Sequence, residues 1–171
     1  MKVNLRLDSG EDADPASSAL LDELLSAAGD VFAAALEELV PAEALPPEAE
    51  ISITFLSSEE MREQNMLYRG IDEPTDVLSF PLWEEEGRFA PEAGMPVLPL
   101  GDIVICPAYV RNNLPSCRTF REEAALMLAH GFLHLLGRDH ASDSDRRAME
   151  EDQERLSRAL LERSGAGRTA N

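Results

Sequence analysis

A chain of 171 residues, of which 44% are hydrophobic, is long enough to bury one core and too short for two comfortable domains. Its formal net charge of −18 argues against the broad basic surface that most nucleic-acid binding proteins carry. The acidity is uneven, because residues 1–50 hold 12 acidic and 2 basic side chains whereas residues 101–171 hold 11 and 10. We therefore expect one soluble domain over 1–171 with a nearly balanced C-terminal part.

Strands are expected at 3–7, 51–56, 75–82 and 101–106, where alternation or β-branched residues are found. Pro81 places the third strand at a sheet edge, because proline cannot donate a ladder hydrogen bond. Residues 83–99 follow it with three prolines and two glycines, which predicts a mobile surface loop.

Helices are expected at 21–39, from 57 to 70, from 119 into the histidine segment, and at 143–160. The second and third begin with the capping-box spacing, Ser57 with Glu60 and Thr119 with Glu122. Residues 164–171 predict a frayed tail.

Neither a membrane protein nor a disulfide framework is expected. No stretch approaches the roughly 18 apolar residues of a transmembrane helix, and the first residues turn acidic where a secretory signal would be apolar. Cys106 and Cys117 are too far apart for a CxxC motif. The prediction is a cytoplasmic protein with reduced thiols.

All three histidines lie within HGFLHLLGRDH, residues 130–140. On a helix, His130 and His134 are about 40° apart in rotation and about 6 Å apart along the axis, so both rings project from one face. His140 can join them only if the chain turns back. Gly137 permits this turn, because glycine adopts the left-handed conformation that ends many helices.

Three imidazoles that converge in this way form an open zinc site, with one zinc ion per chain and a fourth position left to water. A closed structural site would need another ligand, and neither cysteine has ligand spacing. Metzincin proteases share the histidine spacing, but their pattern HExxHxxGxxH places a general-base glutamate after the first histidine. Gly131 stands there in this chain, which disfavours peptide hydrolysis.

The histidine segment resembles HGxLHLxGxDH, the signature of the YbeY family of bacterial rRNA maturation factors, which are zinc-dependent single-strand endoribonucleases. Residues 64–81, QNMLYRGIDEPTDVLSFP, resemble the family block LNxxYRxxxxxTDVLSFP, and LGDIVI at 100–105 is a further match. Together the similar blocks cover roughly residues 50–155. The resemblance implies a single α/β (α+β) domain: a small mixed four-stranded sheet, about five helices and a metzincin-like zinc site.

Arg69 matches the family's functionally important arginine, and the resemblance implies that its guanidinium binds a phosphate. From residue type alone, Arg69 would instead favour the helix dipole and pair with Asp72 or Glu73. Asp139 could accept a proton or hold a ligand histidine, and it could equally cap the following helix.

Other matched positions have less definite roles. Asp76 and Ser79 are candidate substrate-binding residues that shape the cleft or end a strand. Asn65 and Tyr68 could orient the loop carrying Arg69, although Tyr68 could equally belong to the core.

Two functions of different classes follow from these residues. The first is a zinc hydrolase that cleaves single-stranded RNA during ribosomal RNA maturation and ribosome quality control, with Arg69 stabilising the phosphate charge. The second is a zinc-bearing ribosome assembly factor without catalysis of its own. The acidic balance supports the second, because such a protein could dock onto a basic ribosomal protein of the small subunit. The sequence leaves the oligomeric state, the cleavage site and the general base open.

Overall fold

The computed structural model describes residues 1–9, 15–85, 87–92, 94–139 and 142–166. The strands are β1 (Lys2–Ser9), β2 (Glu48–Phe55), β3 (Val77–Pro81), β4 (Glu84–Glu85), β5 (Arg88–Phe89) and β6 (Val97–Ile105). The helices are α1 (Pro15–Leu39), α2 (Ser58–Arg69), α3 (Pro107–Asn112), α4 (Phe120–Leu135) and α5 (Asp143–Ala166), with a short 3-10 turn at Ala42–Ala44.

A mixed sheet in the order β1-β2-β6-β3 forms the centre of the fold. Strands β1, β2 and β6 are parallel, and β3 runs antiparallel to β6 at one edge. Buried and half-buried residues alternate along β2, as the two-residue period of a strand requires. The expected single-domain α/β fold with four mixed strands and five helices is confirmed, and Pro81 lies on an edge strand as predicted.

Helices α1, α4 and α5 pack together over one face of the sheet. Phe32 of α1 stacks on Phe132 of α4, with ring centroids 4.2 Å apart and planes within 3°. Helix α4 buries 11 of its 16 residues, which explains why its sequence is apolar on nearly every side. The other face carries α2, where Met61 packs with Leu78 and Cys106. Within the described ranges, no helix is both long and apolar enough to cross a membrane.

The expected loop over 83–99 is only partly correct. Strands β4 and β5 pair as a small antiparallel ribbon, and β6 begins at Val97. A register shift sets Glu50 opposite Pro99 and Ile51 opposite Gly101, which leaves Leu100 as an extra residue in β6. Such a bulge accommodates a proline inside a strand, so the prolines did not end the strand as expected.

The expected frayed tail is wrong for its first residues, because α5 continues to Ala166. Ser164 is buried, donates a hydrogen bond to the Leu160 carbonyl at 2.6 Å and accepts one from Arg121 at 2.7 Å. The hydrogen bond from Arg121 holds the end of α5 against α4. Residues 167–171 lie outside the described residues.

Candidate metal and substrate cleft

Helix α4 carries His130 and His134, and its start is fixed by the expected capping box. The Thr119 hydroxyl accepts a hydrogen bond from the Glu122 amide at 3.3 Å, and the Glu122 carboxylate accepts one from the Thr119 amide at 2.7 Å. The hydrogen bonds from the Thr119 amide and hydroxyl lower the pKa of Glu122, because they favour the ionised carboxylate. The capping box therefore sets where the histidine helix begins.

The two histidine rings meet at one point, as their spacing predicts. Their Nε2 atoms are 3.0 Å apart, and the ring planes stand at 80° to each other. Two imidazole lone pairs repel, so this approach requires a proton or a cation between the nitrogens. Two nitrogens that each lie about 2.0–2.1 Å from a tetrahedral zinc ion are about 3.3 Å apart. The pair therefore fits two ligands of one metal ion.

The chain turns after α4 at Gly137, as predicted. Gly137 has φ of 68°, and the Arg138 and Gly137 amides donate to the Leu133 and His134 carbonyls at 3.1 Å and 3.0 Å. This is the hydrogen-bond pattern of a Schellman motif, and it reverses the chain direction. Strand β5 closes over it, because a Cβ on Gly137 would lie 3.0 Å from the Arg88 carbonyl carbon.

His140, the third predicted ligand, lies outside the described residues, as does Ala141. Within the described part of the chain, no group of three or more His, Cys, Asp or Glu side chains is arranged to hold a metal ion. Two of the three predicted ligands are therefore brought together, and the third stays a prediction.

A cavity of about 240 Å³ opens beside the histidine pair, between the end of α2, strand β3, the β4–β5 ribbon and the turn after α4. Its lining includes five of the predicted site residues: Arg69, Ser79, His130, His134 and Asp139. A second cavity of about 340 Å³ shares Arg69 and His130 with the first and is lined by Asp76. The matched positions, which are far apart in the sequence, therefore surround one cleft.

Arg69 ends α2 and is exposed. Its expected alternative partner, Asp72, forms an ion pair with Arg62 instead. No described residue forms an ion pair or hydrogen bond with Arg69. The expected pairing of Arg69 with Asp72 or Glu73 is therefore not what the structure shows. Arg69 does lie in the last turn of α2, where its charge favours the helix dipole, and it lines the cavity beside the histidine pair.

The loop after Arg69 is held by Asn65, as predicted. Asn65 is 3% exposed and donates through Nδ2 to the Glu73 carbonyl at 2.7 Å. Tyr68 is 60% exposed and contacts the edge of Phe80, so the alternative that Tyr68 belongs to the core is wrong. Asp76 Oδ1 accepts from the Val77 amide at 2.8 Å and thereby fixes the start of β3.

Gly131 lies where α4 packs closely against the sheet. A Cβ at this position would be 2.8 Å from Ile103 Cγ2 and 3.2 Å from Ser79 Oγ. Metzincins have their glutamate at the position of Gly131, and here that position packs against β6 and β3, where there is no room for a carboxylate side chain. This packing supports the sequence argument against peptide hydrolysis.

Gln153 of α5 is a site residue that the sequence argument missed. Its Oε1 lies 2.9 Å from Nδ1 of His130. The sequence pattern could have indicated it, because Gln153 lies on the same face of the helix as Met149, Leu156 and Leu160, which are all buried. A polar side chain within a buried stripe points to a specific partner.

The cleft brings together two facing imidazoles and a guanidinium that has no ion-pair partner among the described residues. Side chains of these types suit a metal-dependent hydrolase that acts on an anionic substrate.

Comparison with known proteins identifies the family. The model of the family described as Endoribonuclease YbeY matches residues 21–161. The Endoribonuclease YbeY of Shouchella clausii is 39% identical over 155 residues, which cover 88% of this chain and 91% of that protein. That of Thermoanaerobacter sp. strain X514 is 34% identical over 160 residues, which cover 90% and 95%. The chain therefore belongs to the YbeY endoribonuclease family, and the resemblance drawn from its motifs is confirmed.

The fold agrees with a solved structure as well. The solution structure of TM1509 from Thermotoga maritima matches with a TM-score of 0.62 and 26% sequence identity. The match covers 96% of this chain and 93% of that protein.

Proposed function

We propose that this protein hydrolyses phosphodiester bonds within single-stranded RNA, and that its substrate in the cell is ribosomal RNA during maturation and quality control of the ribosome. Membership of an endoribonuclease family gives the reaction class. The single observation that supports this cleft as the site is that Arg69 lines the same cavity as His130 and His134, whose Nε2 atoms face each other.

One divalent metal ion per chain, zinc in our proposal, would be held by His130 and His134 together with His140. Neutral imidazole nitrogens suit zinc, and they also accept other divalent ions such as nickel. When bound, such an ion supplies a Lewis acid that polarises a phosphoryl oxygen and lowers the pKa of water. The contribution of the chain is to aim the histidine nitrogens at one point before the ion arrives.

Arg69 is proposed to bind the scissile phosphate and to neutralise the charge that grows on its oxygens. A guanidinium presents a planar fork of N–H donors to such oxygens. Arg138 places a second cation in the same cavity. Ser79 also lines the cavity and is proposed to donate a hydrogen bond to a phosphate oxygen, whereas Asp76 acts by fixing the start of β3.

Asp139 is the proposed proton acceptor. It lines the cleft two residues beyond Gly137 and is exposed to solvent. A carboxylate near the attacking water can accept its proton directly or through one further water molecule. The alternative role of Asp139, orienting a ligand histidine, predicts loss of metal when it is replaced by alanine.

A basic ribosomal protein of the small subunit is proposed as a partner that brings the enzyme to its RNA. The net charge of −18 favours such a protein over free RNA as the first contact. Family membership favours the enzyme over the assembly factor without catalysis. A cytoplasmic location follows from this proposed role.

The test compares cleavage of a labelled single-stranded RNA by the wild type, Arg69→Glu and His134→Ala, after the metal content of each has been measured by mass spectrometry. Arg158→Ala is the matched control, because Arg158 is an exposed arginine of α5 that does not line the cleft. A duplex of the same sequence and a peptide library test the substrate class.

We expect Arg69→Glu to keep its metal and to lose cleavage by about 10²–10³-fold or more, the usual cost of removing one group that stabilises transition-state charge. His134→Ala should lose both metal and cleavage, and Arg158→Ala should match the wild type. Undiminished cleavage by Arg69→Glu would remove Arg69 from the mechanism. Cleavage by metal-free His134→Ala would contradict the proposed site.

A further inference from the structure

Helix α5 presents one polar side chain to the first histidine of the cleft. Gln153 Oε1 lies 2.9 Å from His130 Nδ1, and both side chains are half-buried. Burying an amide costs free energy unless it forms a hydrogen bond, so the contact accounts for a polar residue at this position. This contact also bears on which nitrogen of His130 carries the proton.

A neutral imidazole carries one N–H and one lone pair, and the group bound to one nitrogen decides the state of the other. Nε2 of His130 faces Nε2 of His134 at 3.0 Å. To bind a metal there, His130 must have its lone pair on Nε2 and its proton on Nδ1. The amide oxygen of Gln153 accepts that proton and stabilises this tautomer over the other.

The position of Gln153 is supported by other contacts of α5. Helix α5 is held by Met149, Leu156 and Leu160, each no more than 2% exposed. Arg155, two residues beyond Gln153, donates to Glu38 of α1 at 2.9 Å. Core packing of α5 therefore holds the amide oxygen beside His130.

We propose that Gln153 is a positioning residue: it fixes His130 as the Nδ1–H tautomer and aims the Nε2 lone pair at the proposed metal site. The proposal rests on the metal site of the proposed function. Residues in this role commonly change metal affinity by about 10–100-fold when they are replaced.

The experiment compares Gln153→Met, which keeps the length of the side chain and removes the amide, with Gln153→Glu, which keeps an oxygen acceptor. Glu151→Met is the control, because Glu151 is exposed on the same helix and does not line the cleft. Zinc affinity is measured by competition with a chromophoric chelator. The tautomer of His130 is measured in the metal-free protein by long-range ¹H–¹⁵N NMR, and circular dichroism checks that each variant is folded.

We expect the metal-free wild type to hold His130 as the Nδ1–H tautomer. Gln153→Met should populate both tautomers and bind zinc about 10–100-fold more weakly. Gln153→Glu should restore both properties, and Glu151→Met should match the wild type. A purely structural role would not give rescue by glutamate together with a change of tautomer.

Two results would overturn the proposal in different ways. Unchanged zinc affinity in Gln153→Met, or an Nε2–H tautomer in the wild type, would remove the role of Gln153 and leave the metal site intact. Failure of the wild type to bind a divalent metal at all would refute the proposed site and the positioning role together.

Discussion

Replacement of Gly131 by alanine tests whether α4 is pressed against the sheet at the histidine pair. The new Cβ would lie 2.8 Å from Ile103 Cγ2 and 3.3 Å from Ile103 Cδ1. Ile103 is fully buried in β6, and its β-branched side chain has little freedom to rotate away. Either α4 or the strand must therefore move.

Two effects of opposite sign set the expected magnitude. Alanine in a helix interior is favoured over glycine by about 1 kcal/mol. Forcing an extra methyl group into a close-packed core costs about 1–3 kcal/mol, and a contact below 3.0 Å to a rigid side chain belongs to the upper part of that range. We expect the free energy of unfolding to fall by about 1–2 kcal/mol.

Urea unfolding of the wild type, Gly131→Ala, Ile103→Ala and the double variant forms a double-mutant cycle at constant metal concentration. With Ile103 truncated, the clash with its side chain is relieved and alanine at 131 should become stabilising by about 1 kcal/mol, which gives a coupling of about 2–3 kcal/mol. If Gly131→Ala is more stable than the wild type while Ile103 is present, the contact is looser than the structure shows and the reasoning fails.

Three further predictions concern the turn, the cap and the cleft. Gly137→Ala should lower both stability and zinc affinity, because Gly137 has φ of 68° and β5 lies against this turn. Gly94→Ala is the control: Gly94 has φ of 86° and nothing lies near a Cβ there, so this variant should lower stability alone. The pKa of Glu122 is lowered from 4.5, so the stability it contributes is present above pH 4.5 and is lost as the pH falls through its lower folded value. Glu122→Gln should therefore unfold with a weaker acid dependence as the pH falls below 4.5, and an unchanged dependence would contradict this origin. Among the described residues that line the cavity, the basic side chains are Arg69 and Arg138. If each contacts one phosphate, the logarithm of RNA affinity should fall with the logarithm of salt concentration at a slope of about −1.4, and a slope several times steeper would indicate a basic surface elsewhere.

Features with a local cause could be predicted from the sequence. The capping box of Thr119 and Glu122 and the helix-ending turn at Gly137 depend on neighbouring residues, and both are present as expected. Pro81 at the sheet edge follows from the missing N–H of proline. The convergence of His130 and His134 follows from helix geometry alone.

Features that depend on tertiary contacts could not be predicted in the same way. Pro99 lies inside β6 because its pairing with β2 contains a bulge, and no pattern within 83–99 specifies that partner. Gln153 contacts His130 across 23 positions of sequence, and only the packing of α5 on α4 brings them together. Asp72 forms an ion pair with Arg62 and not with Arg69, and this also depends on where the loop after α2 lies.

The packing of Gly131 excludes a proton acceptor at that position of α4. Metzincins place their general base on the helix that holds the histidines, but here that position faces Ile103 and Ser79. An acceptor supplied by the chain must therefore come from another element that reaches the cleft. Among the described residues, the carboxylates that line the cavity beside the histidine pair are Glu84 of β4 and Asp139 after the Gly137 turn, whereas Asp76 and Glu150 line the adjoining cavity. The same histidine spacing can thus serve different reactions, because the residues packed around the histidines determine which positions can hold a general base.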